Sequence, residues 1–434
     1  MSNNLRIGIA GLGTVGVSLV RLLKDNEETM TGMIGSGLVV TGVSARTRNR
    51  DRGIFLDDMT WFDDPSALAK SADVDVFVEL IGGDEGPARE SVTQALKAGK
   101  HVVTANKALL AKHGYELAVL AEENDVQLNY EAAVAGGIPI IKALRESLSG
   151  NKVSRVYGIM NGTCNYMLTR MEADKISFED CLADAQKLGY AEADPTFDIG
   201  GHDAAHKLSI LTSLSFGTKV SFDTIYMEGI ENISLSDIEA ADTLGYRIKL
   251  LGVALQTESG IEQRVHPTMV PKESAIAQID GVTNAVAVEA DKVGALLLSG
   301  PGAGGDATAS AVAGDISDIA RGLKTPVFGR PATDLKDYER ARMQLHEGGY
   351  YLALEVADKA GVLAAIATHM ATSEISLKSV MQHGSDKGDD DETKPIIIIT
   401  HETTEKAVRE ALERIVNDVN VVTKPKMIRI ETFN

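Results

Sequence analysis

Residues 11–16 read Gly-Leu-Gly-Thr-Val-Gly and stand between an apolar run at 5–10 and a helical pattern at 15–24. In such a turn, the first glycine permits the tight bend, the second lets backbone approach a pyrophosphate, and the third lets the helix pack closely on the sheet. Free N–H groups at the start of the helix bind phosphate. The segment predicts a dinucleotide-binding turn rather than an ordinary glycine-rich turn, with contacts at Gly11, Gly13, Thr14, Val15 and Gly16.

The first 130 residues alternate strand-like and helical patterns. Strand-like segments lie at 5–10, 38–43, 74–80, 101–104 and 126–130, and Val74, Val76 and Val78 alternate in the third. Strands that alternate with helices at this rhythm form a parallel sheet with helices on both faces. We therefore predict an α/β fold whose residues 1–135 form a Rossmann-type, doubly wound domain, completed by a helix within about 305–330.

The end of the second predicted strand bears on which dinucleotide is bound. A carboxylate there holds the ribose 2′-hydroxyl of NAD, but this strand ends Val43-Ser44-Ala45-Arg46, and Arg48, Arg50 and Arg52 follow. Guanidinium groups suit a 2′-phosphate. Arg46 therefore favours NADP, while nearby Asp51 keeps NAD as an alternative and a solvated arginine loop is the structural alternative.

The stretch 189–207 combines acids, glycines and a lysine. Asp203 and Lys207 lie four residues apart and share one face of the helix predicted to start near residue 202. Reduction of an aldehyde by hydride leaves an alkoxide, which needs a positioned proton donor such as an ammonium group. An exposed ion pair beside a solvated acidic loop is the alternative. Thr104 and Lys107 follow a strand, at the edge where α/β sheets bind ligands.

The composition narrows the classes of partner. Of the 434 residues, 62 are acidic and 43 are Lys or Arg, so the net charge is −19, which disfavours binding to nucleic acid or to an anionic membrane surface. No apolar run approaches a membrane span or a signal peptide. Two cysteines, Cys164 and Cys181, form no disulfide framework and fit a cytoplasmic protein. His202 and His206 have the spacing of two zinc ligands but lack a third.

Beyond residue 135 the pattern changes. Residues 136–304 mix strands and helices and predict an α+β substrate-binding and dimerisation domain, and the Pro- and charge-rich 331–348 predict a linker. Residues 349–434 predict the order β-α-β-β-α-β, a ferredoxin-like unit with a polar hairpin tip at 383–394.

Several motifs resemble the homoserine dehydrogenase family. The 185–207 segment resembles the family signature through its full length, and further similar stretches lie at 104–107, 130–139, 158–166 and 300–304. The similarity spans roughly residues 5–330. The last unit resembles an ACT domain through Asp358-Lys-Ala-Gly-Val-Leu363, and the whole order matches the single-function bacterial form.

The resemblance implies specific roles. Lys207 matches a proton donor and Lys107 a second lysine of the same step, while Glu192 and Asp203 match groups that bind homoserine, with Asp198 as a supporting acid. Gly189, Gly304 and Gly305 match cofactor contacts, to which we add Thr104 and Lys107. The loop after Glu131 resembles a site for a sodium or potassium ion, whose ligands would be Glu131, Val134, Gly136 and Ile138. Cys164 stands where relatives often carry Thr or Ser.

The resemblance thus implies interconversion of L-aspartate 4-semialdehyde and L-homoserine with NADPH, in a homodimer or homotetramer. An amino acid such as threonine is the expected regulator, bound near Gly361 of the last unit; an oligomerisation module is the alternative. Two other functions stay open at this stage: another ACT-containing dehydrogenase, and a non-catalytic sensor of dinucleotide and amino acid.

Overall fold

The computed structural model describes residues 4–341, 346–382, 393–417 and 421–433. The hairpin tip predicted at 383–394 lies outside these residues except for its last two positions. Within the described ranges, none of the helices has the length and apolar character needed to cross a bilayer.

The amino-terminal domain contains a six-stranded parallel sheet. Its strands are β1 (Leu5–Ala10), β2 (Leu38–Ser44), β3 (Thr60–Phe62), β4 (Val76–Glu79), β5 (His101–Thr104) and β6 (Leu128–Asn129), in the order β3-β2-β1-β4-β5-β6. The helices are α1 (Thr14–Asp25), α2 (Glu27–Ile34), α3 (Pro65–Ala69), α4 (Pro87–Lys97) and α5 (Lys107–Glu123). The predicted doubly wound sheet is confirmed, and its strand order reverses between β1 and β4, where such sheets bind ligands.

The residues of β4 show why this sheet forms. Val76 and Val78 pack on one face with Ile7, whereas Phe77 packs on the other face with Val92, and all are fully buried. A strand covered on both faces needs a continuous apolar run, which is what this segment offers.

One helix returns to this domain from far along the chain. Helix α12 (Gly305–Ala320) packs Val312 and Ile316 against Ile7 and Leu19. Its first residue is so close to α1 that a Cβ on Gly305 would lie 2.5 Å from Ser18 Oγ. The amino-terminal domain is therefore assembled from two separate parts of the sequence.

The middle of the chain forms most of a second, mixed sheet. Its strands are β7 (Val153–Ile159), β8 (Tyr226–Met227), β9 (Tyr246–Thr257), β10 (Gly260–Pro271), β11 (Thr283–Ala290) and β12 (Gly294–Pro301). The helices are α6 (Ile140–Lys142, continued by a π-helical turn at Ala143–Ser147), α7 (Gly162–Asp174), α8 (Phe178–Lys187), α9 (Thr196–Ile199), α10 (His202–Phe216) and α11 (Leu235–Thr243). The long β9–β10 hairpin supports one side of α10.

The carboxy-terminal unit has the predicted order of strands and helices. Its elements are β13 (Glu347–Ala357), α13 (Val362–Thr372), β14 (Leu377–Gln382), β15 (Thr393–Thr400), the two-residue β16 (Thr403–Thr404), α14 (Glu405–Val416) and β17 (Lys426–Ile430). The strand order is β17-β13-β15-β14, and both helices pack on one face.

The sequence predicted a separate unit after a linker, but this unit is joined directly to the middle domain. Strand β17 pairs in parallel with β10, which makes one continuous sheet of the two parts. The first residues of the predicted linker are also fixed: Lys219 N donates to Lys336 O at 2.8 Å, and Ile261 N donates to Glu339 O at 2.8 Å. The chain therefore packs on α5 of the first domain at Ala332 and on the middle domain over 336–341, because its backbone groups find partners there.

Candidate active site

The glycine turn between β1 and α1 has the geometry that the sequence predicts. Gly11 has φ +106°, and a Cβ there would lie 2.3 Å from the Leu80 carbonyl oxygen. A Cβ at Gly16 would lie 2.0 Å from the Gly11 carbonyl oxygen, whereas no described atom lies within 4 Å of the same position at Gly13. Gly11 and Gly16 thus permit close backbone packing, whereas Gly13 leaves the approach to the start of α1 open.

An arginine-rich loop follows β2 and contacts this turn. Arg52 Nε donates to Leu12 O at 3.3 Å, and Arg52 Nη2 donates to Thr47 O at 2.6 Å. The side chains of the preceding arginines are exposed: Arg46, Arg48 and Arg50. Arg52, one of the arginines that the sequence offered for a 2′-phosphate, instead holds a positively charged loop beside the predicted dinucleotide site.

A buried cluster lies where α10 faces the first domain. Lys207 Nζ donates to Asp203 Oδ2 at 2.7 Å and to the Met160 carbonyl oxygen at 2.6 Å. Lys107 Nζ, at the first position of α5, lies 3.1 Å from Asp203 Oδ1. Each oxygen of one carboxylate thus pairs with a different lysine, from two different domains.

Burial and charge shift the pKa values of this cluster in opposite directions. Burial alone would raise the pKa of Asp203, but the charges of Lys207 and Lys107 outweigh it and hold that pKa well below its usual range. Burial lowers the pKa of Lys207, and the charge of Asp203 offsets this only in part. Asp203 is therefore a fixed anion, while Lys207 gives up its proton more readily than an exposed lysine.

Asn161 joins a second acid to the cluster. Its Oδ1 accepts from Cys164 N at 2.8 Å and caps α7, while its Nδ2 donates to Asp198 Oδ1 at 2.8 Å and to Asp203 Oδ2 at 3.0 Å. Burial raises the pKa of Asp198. Sequence reasoning did not select Asn161, although an Asn between a strand and a helix is a recognisable capping signal.

Cys164 contacts Asn161 through its backbone and α9 through its thiol. Its Sγ donates to the Asp198 carbonyl oxygen at 3.3 Å, and burial raises the pKa of the thiol well above its ordinary value. The residue therefore acts as a weak hydrogen-bond donor in the core, as expected for a buried thiol.

Glu192 is not brought into the cluster. Its side chain is exposed and forms no hydrogen bond or ion pair with any described residue, and its backbone carbonyl accepts from Gln186 Nε2 at 3.0 Å. Gly189, with φ +75°, turns the chain at the start of the same loop. The loop therefore leaves the Glu192 side chain exposed to solvent.

Thr104 has a structural role at the carboxyl edge of the first sheet. Its hydroxyl donates to Glu79 Oε2 at 2.5 Å, and Glu79 Oε1 accepts from Ile81 N at 2.7 Å. Both side chains are fully buried. Thr104 therefore fixes the ends of β4 and β5, and it offers no exposed surface to a ligand. Gly304, at φ +117°, precedes Gly305 beside α1.

The loop after Glu131 is irregular and tightly packed. Ala135 and Gly136 have φ +55° and +53°, and a Cβ at Gly136 would lie 2.5 Å from the Gly302 carbonyl oxygen. The Glu131 carboxylate accepts from Ile141 N at 2.8 Å and Lys142 N at 2.9 Å, and burial raises its pKa to about 7. Because both carboxylate oxygens bind backbone, a cation here would rely on main-chain carbonyl oxygens.

Side-chain metal ligands do not cluster elsewhere in the described part of the chain. No group of three His, Cys, Asp or Glu residues there could hold a metal ion. His206 lies between the rings of Phe197 and Phe222, and burial lowers its pKa to about 4. His206 therefore packs among aromatic rings on the face of α10.

A phosphate-binding turn at the reversal of a parallel sheet, beside a buried lysine–aspartate cluster, defines an NAD(P)-dependent oxidoreductase. The family model described as "Homoserine dehydrogenase, NAD binding domain" matches residues 11–131, and "Homoserine dehydrogenase" matches 139–317. The chain belongs to the homoserine dehydrogenase family, and this membership sets aside the sensor and the other dehydrogenases.

Individual relatives agree over the whole length. The homoserine dehydrogenases of Neisseria gonorrhoeae and Pseudomonas aeruginosa are 44% and 43% identical, and each alignment covers 99% of both chains. The solved homoserine dehydrogenase from Thiobacillus denitrificans gives a TM-score of 0.93 at 42% identity, with 99% of each chain covered. That from S. aureus gives 0.78 at 29% identity, covering 99% of this chain and 100% of the other.

Proposed function

We propose that Lys207 is the proton donor in the reduction of L-aspartate 4-semialdehyde to L-homoserine. A dinucleotide held at the 11–16 turn would supply hydride to the aldehyde carbon, which would leave the aldehyde oxygen as an alkoxide. The Lys207 ammonium stabilises this charge and transfers its proton to the oxygen, and in homoserine oxidation the neutral amine takes the hydroxyl proton. The observation that carries this proposal is the pairing of Lys207 and Lys107 with the two oxygens of Asp203.

The acids of the cluster would bind the substrate. Asp203 orients both lysines and remains charged, while Asp198, half-buried beside it, is available to the hydroxyl or amino end of homoserine. Glu192 would complete the ammonium site if its loop folds inward when substrate binds. Closure of a flexible loop around a ligand is a common way to complete such a site.

We propose NADP as the preferred dinucleotide. The arginine loop, held against the glycine turn by Arg52, supplies guanidinium groups for a 2′-phosphate. L-homoserine oxidation should therefore show a higher kcat/KM with NADP+ than with NAD+. The combined substitution of Gln for Arg46, Arg48 and Arg50 should raise the KM for NADP+ by about tenfold, as expected for the loss of charge-assisted hydrogen bonds.

The KM for NAD+, which lacks the phosphate, provides the control in the same assay. It should change little in the triple variant. An equal rise in both KM values would show that the loop supports the whole dinucleotide and does not recognise the 2′-phosphate.

The loop at 131–138 would hold a sodium or potassium ion through the carbonyl oxygens of Val134, Gly136 and Ile138. Its left-handed turn directs successive peptide groups differently, which suits coordination by main-chain oxygen atoms. A nearby cation would in turn favour the charged carboxylate of Glu131, whose pKa burial raises to about 7. Such an ion would connect the first domain to the glycine loop at 300–305, against which Gly136 packs.

A homodimer or homotetramer is proposed through the middle domain. Strand β12 ends the continuous sheet with β11 as its neighbour, and Leu297 on it is 37% exposed. An unpaired sheet edge with an exposed leucine is suited to pairing with a second copy.

The carboxy-terminal unit is proposed to bind an amino-acid effector, with L-threonine as the candidate. Gly361, at φ +93°, begins α13 and lets backbone approach a ligand. Titration of the whole protein with L-threonine should change its activity or raise its melting temperature, because a ligand that binds the native state stabilises it. The absence of either effect up to several millimolar would favour an oligomerisation module.

A further inference from the structure

A buried arginine connects the carboxy-terminal unit to the middle domain. Arg429, on β17, is fully buried, and its guanidinium binds the Glu405 carboxylate through Nε at 2.9 Å and Nη2 at 3.0 Å. Its remaining nitrogen, Nη1, donates to Glu228 Oε2 at 3.1 Å. The group also lies over the ring of Tyr226, 4.9 Å from its centroid. Arg429 therefore holds one Glu228 oxygen from the far side of the domain junction, while the Tyr226 hydroxyl donates to the other.

The segment 228–230, which begins with Glu228, contacts α9 of the candidate active site. Ile230 N donates to the Ile199 carbonyl oxygen at 2.9 Å, and a Cβ on Gly229 would lie 2.4 Å from the same oxygen. Glu228 N donates to Val265 O at 2.8 Å, which fixes the start of the segment on β10. Ile199 is the last residue of α9 and directly follows Asp198, so any movement of 228–230 reaches this acid.

We propose that Glu228, held by Arg429, is a positioning residue for α9, the helix that carries Asp198. The Arg429–Glu228 pair keeps 228–230 against Ile199, and this contact keeps Asp198 at hydrogen-bond distance from Asn161. The inference rests on the proposed function, in which Asp198 and Asp203 bind the substrate. The carboxy-terminal unit thus contributes to substrate binding through an ion pair, without touching the substrate.

The partial exposure of Glu228 allows its positioning role to be distinguished from a role in general stability. Its side chain is 37% exposed, and Arg429 keeps its two bonds to Glu405 when Glu228 is replaced. Removal of the Glu228 carboxylate therefore leaves the buried arginine paired, so the loss of stability is small compared with that from an unpaired buried charge. The dinucleotide turn at 11–16 lies in the other domain and has no part in these contacts.

The test compares KM values in the whole enzyme. Glu228→Ala should raise the KM for L-homoserine by about tenfold, because small misplacement of a binding group by a distant change has large effects. The KM for NADP+ and the melting temperature should stay close to wild type. Glu228→Gln keeps an oxygen that accepts from Arg429 and should be intermediate.

Lys426→Met is the matched control. It removes another ion pair across the same junction, to Asp237 on α11, without contacting 228–230. This variant should keep both KM values. A folded Glu228→Ala enzyme with an unchanged KM for homoserine, or with equal rises in both KM values, would overturn the proposal. These outcomes do not depend on which group transfers the proton, so they leave the role of Lys207 to be decided separately.

Discussion

Lys207→Ala is expected to lower kcat for homoserine oxidation by about 10²–10⁴-fold, the range that a positioned acid or base contributes. The side chain donates to Asp203 and to the Met160 carbonyl oxygen, so it is held in one orientation and water does not easily replace it. The KM for the dinucleotide should change little. Steady-state assays in both directions, with purified semialdehyde for the reduction, measure the effect.

Two further substitutions distinguish proton transfer from charge and packing. Lys207→Met keeps the length of the side chain without its amine, and Lys207→Arg keeps the charge in a group that does not deprotonate in proteins. Both should lose activity to a similar extent as Lys207→Ala. A variant without an amine at 207 that retains near wild-type kcat, with normal melting, would refute the assignment.

The pH profile gives an independent signature of the same residue. Because burial lowers the pKa of Lys207 below its ordinary 10.5, the neutral amine forms at lower pH than in an exposed lysine. Oxidation of homoserine needs that neutral form, so kcat should rise with pH and level off above this pKa. Reduction needs the ammonium and should fall over the same range. Lys207→Met should lack this inflection in both directions.

Asp203→Asn is expected to impair both catalysis and folding. The Nζ atoms of Lys207 and Lys107 lie 2.7 and 3.1 Å from the two carboxylate oxygens of Asp203. An amide at this position cannot neutralise the two lysines. Removing one partner of a buried ion pair typically costs about 3–5 kcal/mol of unfolding free energy. Misplacement of both lysines should also lower kcat/KM by about 10²-fold or more.

The stability difference should depend on pH with a defined sign. The folded-state pKa of Asp203 is lowered, so its carboxylate stabilises the fold above its unfolded pKa of about 3.9. The difference in unfolding free energy between wild type and Asp203→Asn should be complete near neutral pH and should narrow as pH falls below about 4. Denaturant unfolding at several pH values measures it.

Asp280→Asn is the control for this substitution. Asp280 also pairs with a buried lysine, Lys249, at 3.2 Å, but its side chain is 49% exposed and lies outside the cluster. It should destabilise less and leave kcat unchanged. Equal losses of kcat in the two variants would mean that Asp203 acts only through stability.

Local chemistry made much of the fold and site predictable. The continuous apolar run at 76–78 specifies a strand buried on both faces, and the glycine turn specifies close backbone packing at Gly11 and Gly16. The four-residue spacing of Asp203 and Lys207 follows from helix geometry alone. The sequence was sufficient to predict features that depend only on residues close together in the chain.

Long-range pairing was not predictable in the same way. Glu228 and Arg429 are 201 positions apart, and nothing in either segment encodes the other. The pairing of β10 with β17 similarly depends on which sheet edges meet, which alternation of apolar residues does not specify. Asn161 was missed because one side chain caps a helix and also binds two acids from later helices, Asp198 on α9 and Asp203 on α10. Glu192 is the opposite case. It matches the family motif, but its side chain does not contact the lysine–aspartate cluster.

The return of α12 to the first domain has a consequence during synthesis. Domains generally fold as units, amino-terminal ones first, while the ribosome is still translating. Here the face of β1 and α1 that Val312 and Ile316 cover stays uncovered until these residues emerge. A nascent chain released at residue 300 would expose this apolar face, and chaperones that recognise such surfaces would find it before the finished enzyme exists.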